Sequence, residues 1–140
     1  IDRHLLEQAH GRGMPVIELD GAEAQLGLLA GLPGEAALEL LRQTAGEILA
    51  GDIPIADMLN AWLRGDAEAV QQVVKADLTT DLQAVYDTLI VERNRTMVRR
   101  IIDELRPQQT LFVVVGAAHM GGPSGLVRGL RAHGYTVEQQ

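Results

Sequence analysis

The apolar run Leu111–Val115, LFVVV, which meets glycine at Gly116, constrains the fold of this chain more than any other stretch. It is short, rich in valine and bounded by a turn signal, which favours a strand covered on both faces over a helix. His119 follows, and then Gly121, Gly122 and Pro123 lead towards the helical stripe Leu126, Val127 and Leu130, with Pro123 suited to a first helical turn. The segment 110–133 thus predicts strand, glycine loop and helix. In a parallel α/β sheet chemistry collects beyond the carboxyl ends of strands, which places His119 where a site would lie. The competing reading is a loop histidine that only bonds a nearby carbonyl.

A chain of 140 residues, 46% of them hydrophobic, can form one domain with a real core. The net charge is −7, and all but one of the basic residues are arginines scattered without a basic tract, which excludes nucleic acid as a partner. There is no cysteine, hence no disulfide frame and no thiolate metal site. No apolar run approaches the roughly 20 residues of a membrane helix, so no membrane span is expected. The chain begins at Ile1 inside a helical pattern, and the expectation is a single α/β domain or a fragment of one.

The pattern then reads in order. Asp2–His10 is a short helix ended by Gly11 and Gly13. Met14–Asp20 alternates as a strand, with Glu18 and Asp20 on one face. Ala22–Ala30 and Glu35–Ala50 are helices broken by Leu32-Pro33-Gly34 and expected to form a hairpin. Pro54 opens a further helix carrying Ile55, Met58, Leu59 and Trp62, the tryptophan being assigned to the core. Arg64-Gly65-Asp66 reads as a helix end and a cap for Ala67–Lys75, not as an adhesion motif. Thr79 or Thr80 caps the longest helix, from Asp81 to about Arg106, where Pro107 stops it. In that helix Arg93 falls inside the stripe of Leu82, Tyr86, Leu89, Met97 and Ile101, and Asn94 falls beside it. A mid-helix arginine between apolar turns predicts a buried bidentate pair with Asp20 or Glu18. Tyr135–Glu138 is a last short strand. Together these give an α/β fold: a small parallel sheet of about three strands with an all-helical insertion, residues 22–106, between the first two.

At this point an ordered series of motifs resembles the TraB/GumN family of bacterial proteins, whose animal relatives include the Tiki membrane-associated metalloproteases. The series is IDRHLLEQAHGRGMPVIELD with Gln25 following, then AWLRGD, ERNRTM, VGAAHMGG and HGYTV. It covers nearly the whole chain and resembles the C-terminal portion of a family member. The resemblance implies a metal-dependent, peptidase-like hydrolase with two Gly-x-x-His motifs and an acidic residue. The second motif is present as Gly116, Ala117, Ala118 and His119, and the first is absent. Where the family has Leu-Glu five residues ahead of a glutamine, this chain has Leu19-Asp20 ahead of Gln25. Arg93 and Asn94 match the family's Arg-Asn pair.

The resemblance thus implies a divalent metal with His119 as ligand, catalytic roles for His119, Asp20, Arg93 and Asn94, a peptide or protein substrate, and a periplasmic or cell-surface location. A fragment with half the presumed metal shell is expected to be inactive by itself. The alternative is a non-catalytic module that holds an anionic or peptide ligand on the backbone amides of Gly116, Gly121 and Gly122. Uncovered sheet edges in a fragment also predict a homodimer.

Overall fold

The computed structural model describes residues 2–51, 55–76 and 78–139, with Asp81 described in its backbone only. Eight α-helices appear among them: α1 Asp2–Gly11, α2 Ala22–Ala30, α3 Gly34–Ala50, α4 Ile55–Leu63, α5 Ala67–Lys75, α6 Thr80–Tyr86, α7 Arg93–Glu104 and α8 Leu126–Ala132. A π-helical segment, Asp87–Glu92, joins α6 to α7, and a 3₁₀ turn spans Ala117–His119.

Local chemistry explains most of these boundaries. Asp66 accepts a hydrogen bond from the Ala69 amide at 2.9 Å and caps α5, so the Arg64-Gly65-Asp66 triplet is a helix junction. Thr79 does the same for α6, accepting from the Leu82 amide. The long helix ends at Glu104, two residues before the predicted stop. Pro54 lies outside the described residues.

No strand occurs among the described residues, which overturns the expected α/β fold and its parallel sheet. The three stretches read as strands, 14–20, 111–115 and 135–138, carry neither helix nor ladder. A strand exists only through the partner that takes its backbone N–H and C=O groups. The backbone of 111–115 finds no backbone partner among the described residues. Its side chains are not covered on both faces either: Phe112 is 75% exposed, and Val113 and Val114 are exposed as well.

The core is built by helices instead. Ala36 of α3 meets Leu82 and Val85 of α6, with Leu32, Leu40, Leu78 and Leu89 around them. Hence α3 packs on α6, and the hairpin is formed by α4 and α5 instead of α2 and α3. Trp62, assigned to the core by sequence, is 48% exposed. The second cluster joins Met97 and Val98 of α7 to Leu126 of α8, with Leu19, Val115, Ile102 and Leu130 against it. Leu19 and Val115 are the last apolar residues before Asp20 and Gly116, so this cluster anchors two irregular segments on α7 and delivers their next residues to the same helix.

Helix α8 starts at Leu126 with Gly125 as its N-cap, so Pro123 lies in the preceding turn instead of opening the helix. The π segment has a larger effect. At about 100° per residue, twelve residues turn an unbroken α-helix to about 120° from its starting face, whereas absorbing one residue in a π turn brings that to about 20°. Position 94 therefore comes under the face of Leu82. Asn94 is buried in that stripe with Met97, Val98 and Ile101, and Arg93 is turned to its edge.

Candidate functional site

Four side chains meet where α7 begins. Arg93 donates from Nε to Asp20 Oδ2 and from Nη1 to the Leu89 carbonyl at 3.2 Å. The Asp20 and Arg93 side chains keep only 13% and 19% of their surface exposed, so solvent screens this pair little. The pairing is with Asp20 and not Glu18, which is exposed, and it runs through one guanidinium nitrogen instead of the bidentate geometry expected. Gln25 Nε2 donates to the Asp20 carbonyl at 2.9 Å, tying that segment to α2.

One residue on, Asn94 is 2% exposed and fully engaged. Its Nδ2 donates to the carbonyls of Ser124 at 2.8 Å and His119 at 3.3 Å. Both partners only accept, which fixes the orientation of the amide and turns Oδ1 towards His119 Nδ1, 2.6 Å away. The hydrogen-bond network therefore assigns the ring proton to Nδ1 and leaves a lone pair on Nε2. His119 itself is 8% exposed. Its pKa lies below the ordinary 6.5, first through burial and then through the Arg93 guanidinium, with Asp20 opposing. Near neutral pH the ring is an uncharged imidazole whose Nε2 can accept a proton or bind an electrophile.

The glycine loop holds this turn against α5. The Gly122 amide donates to Glu68 Oε2 at 3.0 Å, and the Gly116 carbonyl accepts from the His119 amide at 2.9 Å. A carboxylate of the chain thus occupies an amide that an external anion would need. Gly122 has φ +79°, and a Cβ there would stand 2.7 Å from the side chain of Gln71, whose Nε2 donates to the Tyr86 hydroxyl at 2.8 Å. The sequence reading named Gly116, Gly121 and Gly122 but missed Glu68 and Gln71. No spacing signal links residues 54 positions apart, and only the docked loop reveals them.

The donor set does not make a metal site by itself. Among the described residues no three His, Asp or Glu side chains come together, whereas a first-row metal usually takes three protein ligands. The Asp20 carboxylate already holds the Arg93 guanidinium and is not free to take a cation.

Comparison with known proteins places the chain. A profile of the TraB/PrgY/gumN family matches residues 1–139. The uncharacterized protein YbaP of Escherichia coli strain K12 is 34% identical over 136 residues, covering 94% of this chain and 47% of the relative. The protein of the same name in Shigella flexneri matches over the same extent. The chain spans about half the length of these curated relatives. No solved structure matches it.

Proposed function

The chain belongs to the TraB/PrgY/gumN family, and we propose that it carries the imidazole part of a hydrolase site acting on peptide bonds. The observation that supports this most is the buried Asn94–His119 bond, which sets the tautomer and leaves Nε2 as the reactive atom. In this reading His119 Nε2 takes a proton from water as the water oxygen bonds to the substrate carbonyl carbon. The same nitrogen returns the proton to the leaving amine as the C–N bond breaks. Asp20 holds Arg93, and the remaining guanidinium donors face the carbonyl oxygen. Any metal requires ligands beyond those described here, and no step of this reaction runs through one. A periplasmic or cell-surface setting belongs to the same proposal.

The test compares peptide hydrolysis by this chain and by a protein of the relatives' full length that contains it. Hydrolysis is expected from the longer protein only, and His119→Ala should lower its rate by about 10²–10⁴-fold. An undiminished rate overturns the reading. The ring also makes a stability prediction. Its folded pKa is lowered, so the unfolded chain binds more protons, and stability present above pH 6.5 is lost as pH falls below it. Denaturant midpoints at pH 7.5 and 5.5 should show this loss in the wild type and a smaller one in His119→Phe. Equal losses would mean that the ring does not stay neutral in the fold.

No membrane-crossing helix is found among the described residues. Self-association remains part of the proposal, supported by the exposed Phe112, Val113 and Val114 and by Met14, Val16 and Ile17, all at least a third exposed in segments without ladder partners. Light scattering should give a mass that rises with concentration. A constant monomer mass sinks self-association without touching the site.

A further inference from the structure

Beside Arg93, on the side of α2, lies a cleft of about 190 Å³ lined by Gln25, Leu28, Leu29, Leu89 and Arg93. We propose that this cleft is a specificity subsite that receives one uncharged aliphatic side chain of a peptide, whose main-chain carbonyl is held by Arg93 and whose main-chain N–H is held by Gln25. The inference rests on the hydrolase reading for its purpose but not for its binding chemistry.

Size sets the first limit. An engineered apolar cavity of about 150 Å³ holds a single benzene, so a cleft of this size takes one side chain and not a larger ligand. Polarity sets the second. Three leucines form the walls, and an ionised side chain placed among them loses its hydration without a dedicated partner. The one charged wall group, Arg93, is already paired with Asp20, so it gives neither a carboxylate nor an ammonium a free partner charge.

The two polar wall residues complement a peptide group. Gln25 uses its Nε2 on the Asp20 carbonyl, which leaves Oε1 as an acceptor. Arg93 uses Nε on Asp20 and Nη1 on Leu89, and Nη2 makes no bond among the described residues, which leaves it as a donor. One acceptor and one donor beside an apolar cleft match the N–H and C=O of a single residue. The Arg93 guanidinium lies near enough to the His119 ring to act on it electrostatically, so the cleft borders the imidazole that Asn94 orients.

The experiment titrates the isotopically labelled chain with acetyl-leucine methylamide, acetyl-alanine methylamide and acetyl-lysine methylamide. It follows the methyl signals of Leu28, Leu29 and Leu89 and the Arg93 Nε–H by NMR. The leucine amide should bind at least about tenfold more tightly than the other two, since alanine loses side-chain carbons in an apolar cleft and lysine brings a charge that must be desolvated there. Leu29→Trp should abolish the shifts by filling the cleft. Leu29 is 48% exposed, so the exchange does not disturb the core. Gln25→Ala should weaken binding by removing the acceptor while the three leucines of the cleft stay in place.

Equal binding of the three amides, shifts outside the cleft, or unchanged binding in both variants overturns the subsite. The two readings fail separately. If leucine amide binds as described while His119→Ala leaves hydrolysis by the longer protein unchanged, the hydrolase reading falls and the subsite stands. If His119→Ala abolishes hydrolysis while Leu29→Trp leaves kcat/KM for leucine peptides unchanged, the subsite falls.

Discussion

Replacing Asn94 with leucine is expected to destabilise the protein by about 3–4 kcal/mol and to release the tautomer of His119. Leucine nearly matches asparagine in size, so the cavity term is small and the lost bonds dominate. Three groups lose their partner at once: His119 Nδ1–H, the His119 carbonyl and the Ser124 carbonyl. An orphaned buried polar group costs about 1–3 kcal/mol, and Ser124 is open enough for water to replace part of its bond, so the two His119 groups account for most of the effect. Asn94→Asp separates the two roles. It keeps an acceptor at Nδ1 but adds a negative charge that favours the imidazolium, so the His119 pKa should rise. Denaturant midpoints give the first effect, and the ¹⁵N shifts of the ring nitrogens against pH give the second. A loss under about 1 kcal/mol in Asn94→Leu, with Nδ1 still protonated, would show that the amide does not hold the ring.

The helices were legible because their signals are local. Alanine and leucine composition bounded Ala22–Ala30, an aspartate marked the start of Ala67–Lys75, and a threonine marked Thr80, each within a few residues of the end it sets. The sheet was not decided by local signals. Leu111–Val115 has strand composition, but composition cannot supply the neighbour that completes a ladder, and among the described residues none does so. The ion pair of Arg93 with Asp20 could be anticipated because an arginine between apolar turns demands a carboxylate, and only Glu18 and Asp20 were offered. Which of Arg93 and Asn94 sits deeper could not, because the π segment at Asp87–Glu92 moves the stripe by one residue and leaves no mark in the spacing. The bond from Asn94 to His119 depends on that shift, so the residue that orients the imidazole was assigned a place beside the buried face instead of within it.

The loop that carries His119 supplies the other large effect, through Gly121→Ala. A Cβ at Gly121 would stand 2.1 Å from the Ala67 carbonyl oxygen, 2.5 Å from its carbon and 3.0 Å from the Glu68 nitrogen. All three are backbone atoms of the first turn of α5, so no rotamer change relieves the overlap and the loop must lift off the helix. Overpacking of this kind costs about 1–3 kcal/mol where side chains can yield, so a backbone clash should cost about 3 kcal/mol or more. Gly27→Ala, in the interior of α2 with nothing within 4 Å of the added Cβ, should instead stabilise by up to about 1 kcal/mol. The opposite signs separate a docking effect from the general preference of helices for alanine. Lifting the loop also breaks the Gly122–Glu68 bond and shifts the turn that ends at His119, two residues upstream. The Nδ1 signal of His119 should therefore move in Gly121→Ala and stay in place in Gly27→Ala. If both variants leave that signal unchanged and Gly121→Ala costs under about 1 kcal/mol, the imidazole is held by Asn94 alone and the contact with α5 contributes nothing to its position.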